Sequence, residues 1–166
     1  SMKDPNPEVS GKVIDELGKA GIDVRVGILD KEAERLNEVY VKYVTTGLPF
    51  VILKSAMTLD GKIATPSGQS KWITGLKSRN LVHRLRSSVS AVMTAIGTVK
   101  ADDPMLTSRI NKGRDPIRIV IDPYLETPIN SKILNTPPET IIVTQRETTS
   151  GLSNLKFIRY KDNSIR

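Results

Sequence analysis

Basic side chains lie at helical spacing in the middle of the chain, together with the only histidine. Arg79, His83 and Arg86 are four and three residues apart, so in a helix they share one face. With Arg109 further along the chain, they could converge on a phosphate, which guanidinium groups bind through paired hydrogen bonds. The alternative is a solvated basic face, with His83 as a surface residue and not a ligand.

A second candidate is Lys54, which interrupts an apolar stretch with the composition of a buried strand. A lysine at such a position lies either at the edge of the sheet or in a cleft. In a cleft it would be suited to proton transfer. The sequence leaves both alternatives open.

The segment 94–103 has the pattern of a strand that turns directly into a helix. Its small residues, including Gly97, let the backbone approach a ligand. Thr98 could donate a hydrogen bond to a phosphate or ribose, and Asp102 could accept one from a hydroxyl. The alternative is an ordinary helix start followed by an Asp-Pro turn. The single tryptophan, Trp72, lies in a predicted loop, where it is either a core plug or a lid that stacks on a flat ring.

The composition excludes several kinds of chemistry. The 166 residues contain no cysteine and one histidine, so there is no disulfide, thiolate zinc site, cysteine nucleophile or multi-histidine metal site. The usual glycine-rich dinucleotide fingerprint and the Walker loop are absent. No apolar run approaches the roughly 18 residues that span a membrane, and we expect a cytoplasmic protein without a membrane partner.

The positive charge is concentrated in the later part of the chain. Residues 1–47 carry 7 basic and 9 acidic side chains, whereas residues 48–166 carry 18 and 9. A basic domain binds nucleic acid, an acidic membrane or a small phosphorylated ligand. Aromatic residues make up only 4% of the chain, which disfavours a stacking surface for single-stranded nucleic acid.

Hydrophobic periodicity predicts a helix–strand–helix unit followed by an α/β domain. The first part has a helix from Val9 that ends by Gly21, a strand over 23–29 and a helix over 31–46. Gly47 to Pro49 marks the boundary, which gives domains 1–47 and 48–166. The second part has a helix capped by Thr74 and buried-type strands, which together favour a largely parallel sheet. The predicted strands cover 50–55, 89–94, 117–121, 140–144 and 155–158. Because the chain ends just after a strand, we expect this domain to be incomplete at its C-terminal end.

Several motifs, taken in order, closely resemble the bifunctional riboflavin-biosynthesis deaminase–reductase family. The reductase-type motifs are KSAMTLDGKIA at 54–64, GQSKWIT at 68–74, GTVKADDPMLT at 97–107 and IRIVID at 117–122. The opening DPNP at 4–7 and LNE at 36–38 resemble the end of the family's deaminase domain. The resemblance extends over more than 100 residues.

The resemblance implies a dihydrofolate-reductase-like three-layer α/β fold and an NADPH-dependent reductase. The substrate would be the phosphorylated pyrimidine 5-amino-6-(5-phosphoribosylamino)uracil, whose ribosyl group is reduced to ribityl by hydride transfer. Lys54 and Asp102 are the candidate catalytic residues. The residues matched to cofactor contacts are Ala56, Trp72, Thr98 and Asp102; those matched to substrate contacts are Ser70, Arg86, Leu106 and Arg109. A homodimer or larger homo-oligomer is implied for the full-length protein.

Two features depart from the family pattern. Residues 1–47 lack the histidine, cysteines and glutamate motif of the deaminase zinc site, so we expect no metal and no deamination. The glycine-rich loop with which the family's reductase closes over the cofactor and substrate is also missing, which makes an inactive fragment conceivable. Two alternatives remain: a catalytically silent binding or assembly module of the same fold, and a basic nucleic-acid binder. The motif match argues against the second, so we expect no nucleic-acid partner.

Overall fold

The computed structural model describes residues 2–149 and 151–161. The chain divides into two compact units, Ser1–Ser55 and Ala56–Arg166. The sequence-based boundary between residues 47 and 48 stays a prediction about which parts of the chain derive from two different domains. Every helix and strand described below belongs to one of these two units.

The first unit contains helices α1 (Lys12–Lys19), α2 (Asp30–Leu36) and α3 (Glu38–Thr46). The single helix expected over 31–46 is interrupted at Asn37, whose side-chain amide donates to the Ala33 carbonyl at 2.8 Å. Asparagine interrupts helices in this way because its side chain competes for backbone groups. The predicted strand over 23–29 is not formed; the positive φ angles of Gly27 and Leu29 end its extended course.

Residues 50–55 belong to no strand or helix, so the strand predicted there is also not formed. Leu53, at its centre, is 93% exposed. An apolar run favours a strand, but a strand exists only where a neighbouring chain segment accepts its backbone hydrogen bonds. The described residues supply no such partner here.

The second unit is an α/β domain built on a parallel sheet. Its elements are α4 (Leu76–Ser88), β1 (Ala91–Ala95), α5 (Ile96–Asp102), β2 (Ile117–Ile121), α6 (Lys132–Asn135), β3 (Thr140–Thr144) and β4 (Leu155–Arg159). The strands lie in the order β1-β2-β3-β4, and all three neighbouring pairs are parallel. The four predicted strands from residue 89 onward are therefore confirmed. The predicted cap Thr74 is wrong: helix α4 is capped by Gly75, one residue later, and no side chain donates or accepts a capping hydrogen bond there.

The hydrophobic core lies against one face of this sheet. Its buried residues are Val99, Leu106, Val120, Ile133, Leu134 and Ile142, with Val92, Leu155 and Phe157 packed against them. On the alternate strand positions, Met93 and Ile158 are 61% and 52% exposed. The side chains of a strand alternate between faces, so these residues belong to the opposite, more open face of the sheet.

Arg118 is fully buried on β2, on the core side of the sheet. Its guanidinium donates to the carbonyls of Thr136 (2.5 Å), Pro138 (2.6 Å) and Met105 (3.4 Å). Burial lowers the pKa of Arg118, and Asp115 opposes this shift. One buried arginine thus joins the segment before β3 to the loop that follows α5.

Candidate functional site

The β1–α5 connection places two candidate ligand groups on one exposed helix face. Helix α5 begins directly after β1, as the sequence predicts. Thr98 and Asp102 are four residues apart on this helix, so they lie one turn apart, and both are exposed. A methyl group added at Gly97 would meet nothing within 4 Å. The surface around a hydroxyl and a carboxylate is therefore open to a ligand.

The loop formed by residues 103–109 leads from α5 to the predicted substrate residues. Three of its non-glycine residues, Asp103, Leu106 and Arg109, have φ angles of 41°, 56° and 53°. Such left-handed backbone is uncommon outside glycine and persists where the surroundings impose it. The Leu106 side chain is in the core, so a ligand contact at this residue would involve its backbone.

Three basic side chains meet at this loop. Arg86 of α4 donates from Nη1 to the carbonyl of Thr107 at 3.2 Å. Burial, followed by the positive charge of Arg109, lowers the pKa of Arg86. The two guanidinium groups predicted to bind substrate are therefore close enough to repel each other, and an anion placed between them would relieve this repulsion.

His83 is the third member of this basic cluster. Its pKa is lowered by burial, then by Arg86 and Arg109, while interactions with the backbones of Thr107 and Ser108 raise it. Its Nδ1 atom is buried and has no hydrogen-bond partner within the part of the chain that the structure describes. The sequence favoured a surface role for His83; its spacing from Arg86 was the signal that pointed to the cluster.

Arg79, which shares the helical spacing, contacts a different residue. Its guanidinium lies 4.2 Å from the centroid of the Trp72 ring, and Nη1 donates to the carbonyl of Thr74 at 2.6 Å. Trp72 is 70% exposed, which excludes a core plug. The exposed ring, held by a cation–π contact, presents a flat surface. Ser70, two residues earlier in the chain, is partly buried.

The remaining predicted residues, Lys54 and Ala56, lie on either side of residue 55 in the sequence, one in each unit. Lys54 is exposed in the unpaired segment at the end of the first unit. Ala56 is half-buried and begins the second unit. The other predicted site residues are all in the second unit, and the role of Lys54 stays a prediction.

Two residues near the site were missed by the sequence analysis. Ser108 donates to Asp115 from both its backbone N–H (2.6 Å) and its hydroxyl (2.8 Å). Seven residues separate this pair, and neither periodicity nor a short motif links them. Their relationship becomes visible only when the loop is folded against β2.

Two structural features are missing from residues 2–149 and 151–161. There, no group of three or more histidine, cysteine or acidic side chains could hold a metal ion. Within the same residues, no helix combines the length and the apolarity needed to cross a bilayer.

A parallel sheet, helices along the chain between its strands and an exposed strand-to-helix turn define an α/β domain of the dihydrofolate reductase type. Residues 49–162 match the model of the family described as RibD C-terminal domain. The chain belongs to this family.

Relatives and solved structures agree with this assignment. The riboflavin biosynthesis protein RibD of Aquifex aeolicus is 47% identical over 146 residues, covering 87% of this chain and 41% of that protein. A structure from Thermotoga maritima, described as a diaminohydroxyphosphoribosylaminopyrimidine deaminase/5-amino-6-(5-phosphoribosylamino)uracil reductase, has a TM-score of 0.86 and 38% identity. It covers 98% of this chain, which in turn covers 46% of it. Acinetobacter baumannii RibD, form 1, has a TM-score of 0.81 and 36% identity over 97% of this chain and 47% of that one. The chain spans less than half the length of these proteins.

Proposed function

We propose that this chain contributes to an NADPH-dependent reductase of riboflavin biosynthesis that converts the ribosyl group of 5-amino-6-(5-phosphoribosylamino)uracil to ribityl. Family membership supports the pathway and the reaction class. The observation that carries the substrate assignment is the basic cluster of His83, Arg86 and Arg109. The positive charges of Arg86 and Arg109 oppose each other and lower the pKa of His83, so the cluster suits an anion such as the phosphate of a phosphoribosyl group.

The residues around the β1–α5 turn fit a nicotinamide dinucleotide. Trp72 offers an exposed flat ring, Thr98 a hydroxyl donor and Asp102 a carboxylate acceptor for a ribose hydroxyl. We assign these residues, with Ala56, to the cofactor. When bound, NADPH supplies the hydride.

The substrate residues divide the work of binding and orientation. Arg86 and Arg109 hold the phosphate, Leu106 contributes through its backbone, and Ser70 offers a hydroxyl near the ring of Trp72. Lys54 and Asp102 are the proposed groups that polarise the reacting carbon or supply a proton to the nitrogen or oxygen that receives charge. Fixing the phosphate far from the reacting carbon orients the sugar for reduction.

Thermal unfolding of the chain with NADPH, with NADH and with neither tests the cofactor assignment. We expect NADPH alone to raise the midpoint, because a ligand that binds only the folded state stabilises it. A subsequent assay of turnover with the pyrimidine substrate tests the activity. Equal shifts with both nucleotides would contradict the proposed selectivity, and the absence of any shift would contradict cofactor binding by this chain.

A second candidate function is a catalytically silent binding or assembly module. The exposed apolar residues Met93 and Ile158 on the open face of the sheet favour it. Self-association measured by size-exclusion chromatography, without any binding of NADPH, would support this function. Binding of NADPH, by a monomer or by an oligomer, would support the reductase.

A further inference from the structure

The 103–109 loop needs an external restraint to hold the conformation it has. Arg109 ends the loop in left-handed backbone, with a φ angle of 53°. Its positive charge also acts on Arg86 and lowers the pKa of that residue, so electrostatic repulsion opposes this placement of Arg109. If nothing held the loop, backbone preference would favour a different φ angle at Arg109, and electrostatic repulsion would favour a larger distance from Arg86.

Ser108, the neighbour of Arg109, provides the attachment point. It is 2% exposed, and its backbone N–H and hydroxyl both donate to the same oxygen of Asp115, at 2.6 and 2.8 Å. Hydrogen bonds to a carboxylate are stronger than those between neutral groups. A single carboxylate oxygen therefore fixes the backbone and the side chain of the residue before Arg109.

The segment that carries Asp115 is itself fixed against helix α4. The backbone N–H of Arg114 donates to the hydroxyl of Ser87 at 3.1 Å, and the Arg114 guanidinium donates to the carbonyl of Val89 at 3.1 Å. Gly113 lies so close to α4 that an added Cβ would be 3.0 Å from the Ser87 hydroxyl and 2.9 Å from Cβ of Ile110. Helix α4 also carries Arg86. Arg86 and the segment that carries Asp115 are therefore attached to the same helix.

We infer that Asp115 is a positioning residue for the substrate phosphate, which acts through Ser108 to hold Arg109 beside Arg86 and His83. The inference rests on the proposed function, because the phosphate is that of the proposed substrate. Asp115 touches neither the ligand nor the reacting atoms in this scheme. It keeps the positively charged groups of Arg86 and Arg109 in place before the phosphate binds, so the loop does not have to reorganise on binding.

Ribose 5-phosphate is the probe for this inference, used with the complete chain and titrated by calorimetry. Asp115→Ala removes the carboxylate oxygen that accepts both hydrogen bonds from Ser108. We expect affinity for ribose 5-phosphate to fall at least tenfold. Asp115→Asn keeps an acceptor oxygen, and we expect it to restore most of the affinity. Affinity for NADPH stays within about twofold of the wild type in both variants. Glu139→Ala is the matched control, since it removes a half-buried carboxylate paired with Lys156 at 2.8 Å, and we expect no change in either affinity.

Amide hydrogen exchange separates a positioning role from a loss of folding. In Asp115→Ala, we expect faster exchange at Ser108 while the amides of β2 and β3 keep their protection. If the wild-type chain binds ribose 5-phosphate and Asp115→Ala binds it equally well, the inference is overturned and the proposed function stands. If the wild-type chain does not bind ribose 5-phosphate, the phosphate assignment fails together with the inference. Equal loss of NADPH affinity would also overturn it, because the effect would then be general.

Discussion

The guanidinium of Arg79 stacks on Trp72, 4.2 Å from the ring centroid, and so joins helix α4 to the loop before it. The contact involves the only tryptophan of the chain, which makes it directly observable by fluorescence. Trp72, a proposed cofactor residue, is therefore oriented by Arg79, whose helical spacing had suggested a contact with phosphate.

Arg79→Gln removes the cation over the ring and the bond to the Thr74 carbonyl. We expect a change in Trp72 emission and a roughly two- to fivefold loss of NADPH affinity, in line with about 0.5–1 kcal/mol for an exposed cation–π contact. Quenching of Trp72 by NADPH measures both. Arg84→Gln is the matched control, because Arg84 is an exposed arginine of the same helix. An unchanged affinity in Arg79→Gln would show that the ring needs no such support.

Thr98→Val and Asp102→Asn test the exposed face of α5. Both side chains are exposed, so we expect changes in folding stability of no more than about 0.5 kcal/mol. The stabilisation of the chain by NADPH should nevertheless decrease in both variants, and turnover should be lost in Asp102→Asn. Lys100→Gln serves as the control, because Lys100 is on the same helix and forms an exposed ion pair with Glu126, which lies after β2. If NADPH raised the unfolding midpoint of both variants as much as that of the wild type, these residues would not belong to the cofactor site.

The pKa of His83 predicts how stability depends on pH. Burial and the neighbouring arginines lower this pKa in the folded state, so the unfolded chain takes up the proton first as the pH falls. Stability therefore decreases as the pH falls through the ordinary histidine value of 6.5, and this decrease ends below the folded pKa. His83→Gln should flatten this dependence in urea unfolding measured between pH 5.5 and 8. The lowered pKa of Asp103, beside Lys132, acts at more acidic pH, where its contribution to stability is lost. A slope unchanged by His83→Gln would contradict the prediction.

Arg118→Met tests the buried arginine of β2. The substitution leaves the carbonyls of Thr136 and Pro138 without this donor, and each unsatisfied buried group costs about 1–3 kcal/mol. We expect a loss of about 2–4 kcal/mol in the free energy of unfolding. Arg114→Gln, which removes an exposed arginine bonded to the Val89 carbonyl, should cost less than about 1 kcal/mol. Equal losses for the two variants would show that burial does not determine the effect.

Two neighbouring positions of β4 test the open face of the sheet. Ile158→Lys places a charge on the exposed face, so we expect less self-association and an unchanged unfolding midpoint. Phe157→Lys places the charge against the core and should destabilise the domain strongly. Size-exclusion chromatography and thermal unfolding give the two readouts. Destabilisation by Ile158→Lys as large as that by Phe157→Lys would mean that both faces are packed.

Local pattern was sufficient for the strands that have partners within the chain. The apolar, β-branched run at β2 was predicted with its observed bounds, and β3 likewise, because such residues favour a pleated, buried surface. The same composition at residues 50–55 misled the prediction. Strand formation there depends on hydrogen bonds from another segment, and that information is not local.

The basic cluster was predictable only in part. Helical periodicity brings His83 and Arg86 to one face of α4, and this part follows from spacing alone. Periodicity also grouped Arg79 with them, whereas the folded chain places Arg79 on Trp72. The position of Arg109 relative to α4 depends on the path of the 103–109 loop. The left-handed residues of this loop have no sequence signature.

The sequence by itself determined the family, the order of the strands along the chain and the types of chemistry that are impossible, because these depend on residue identity and short-range pattern. The tertiary structure decided which candidates meet. It brought Ser108 to Asp115 and Arg109 to Arg86, since both contacts need a loop held in uncommon backbone angles by bonds to distant elements. It also decided that Leu106 faces the core and that Trp72 faces solvent, because exposure is a property of the packed chain and not of the residue.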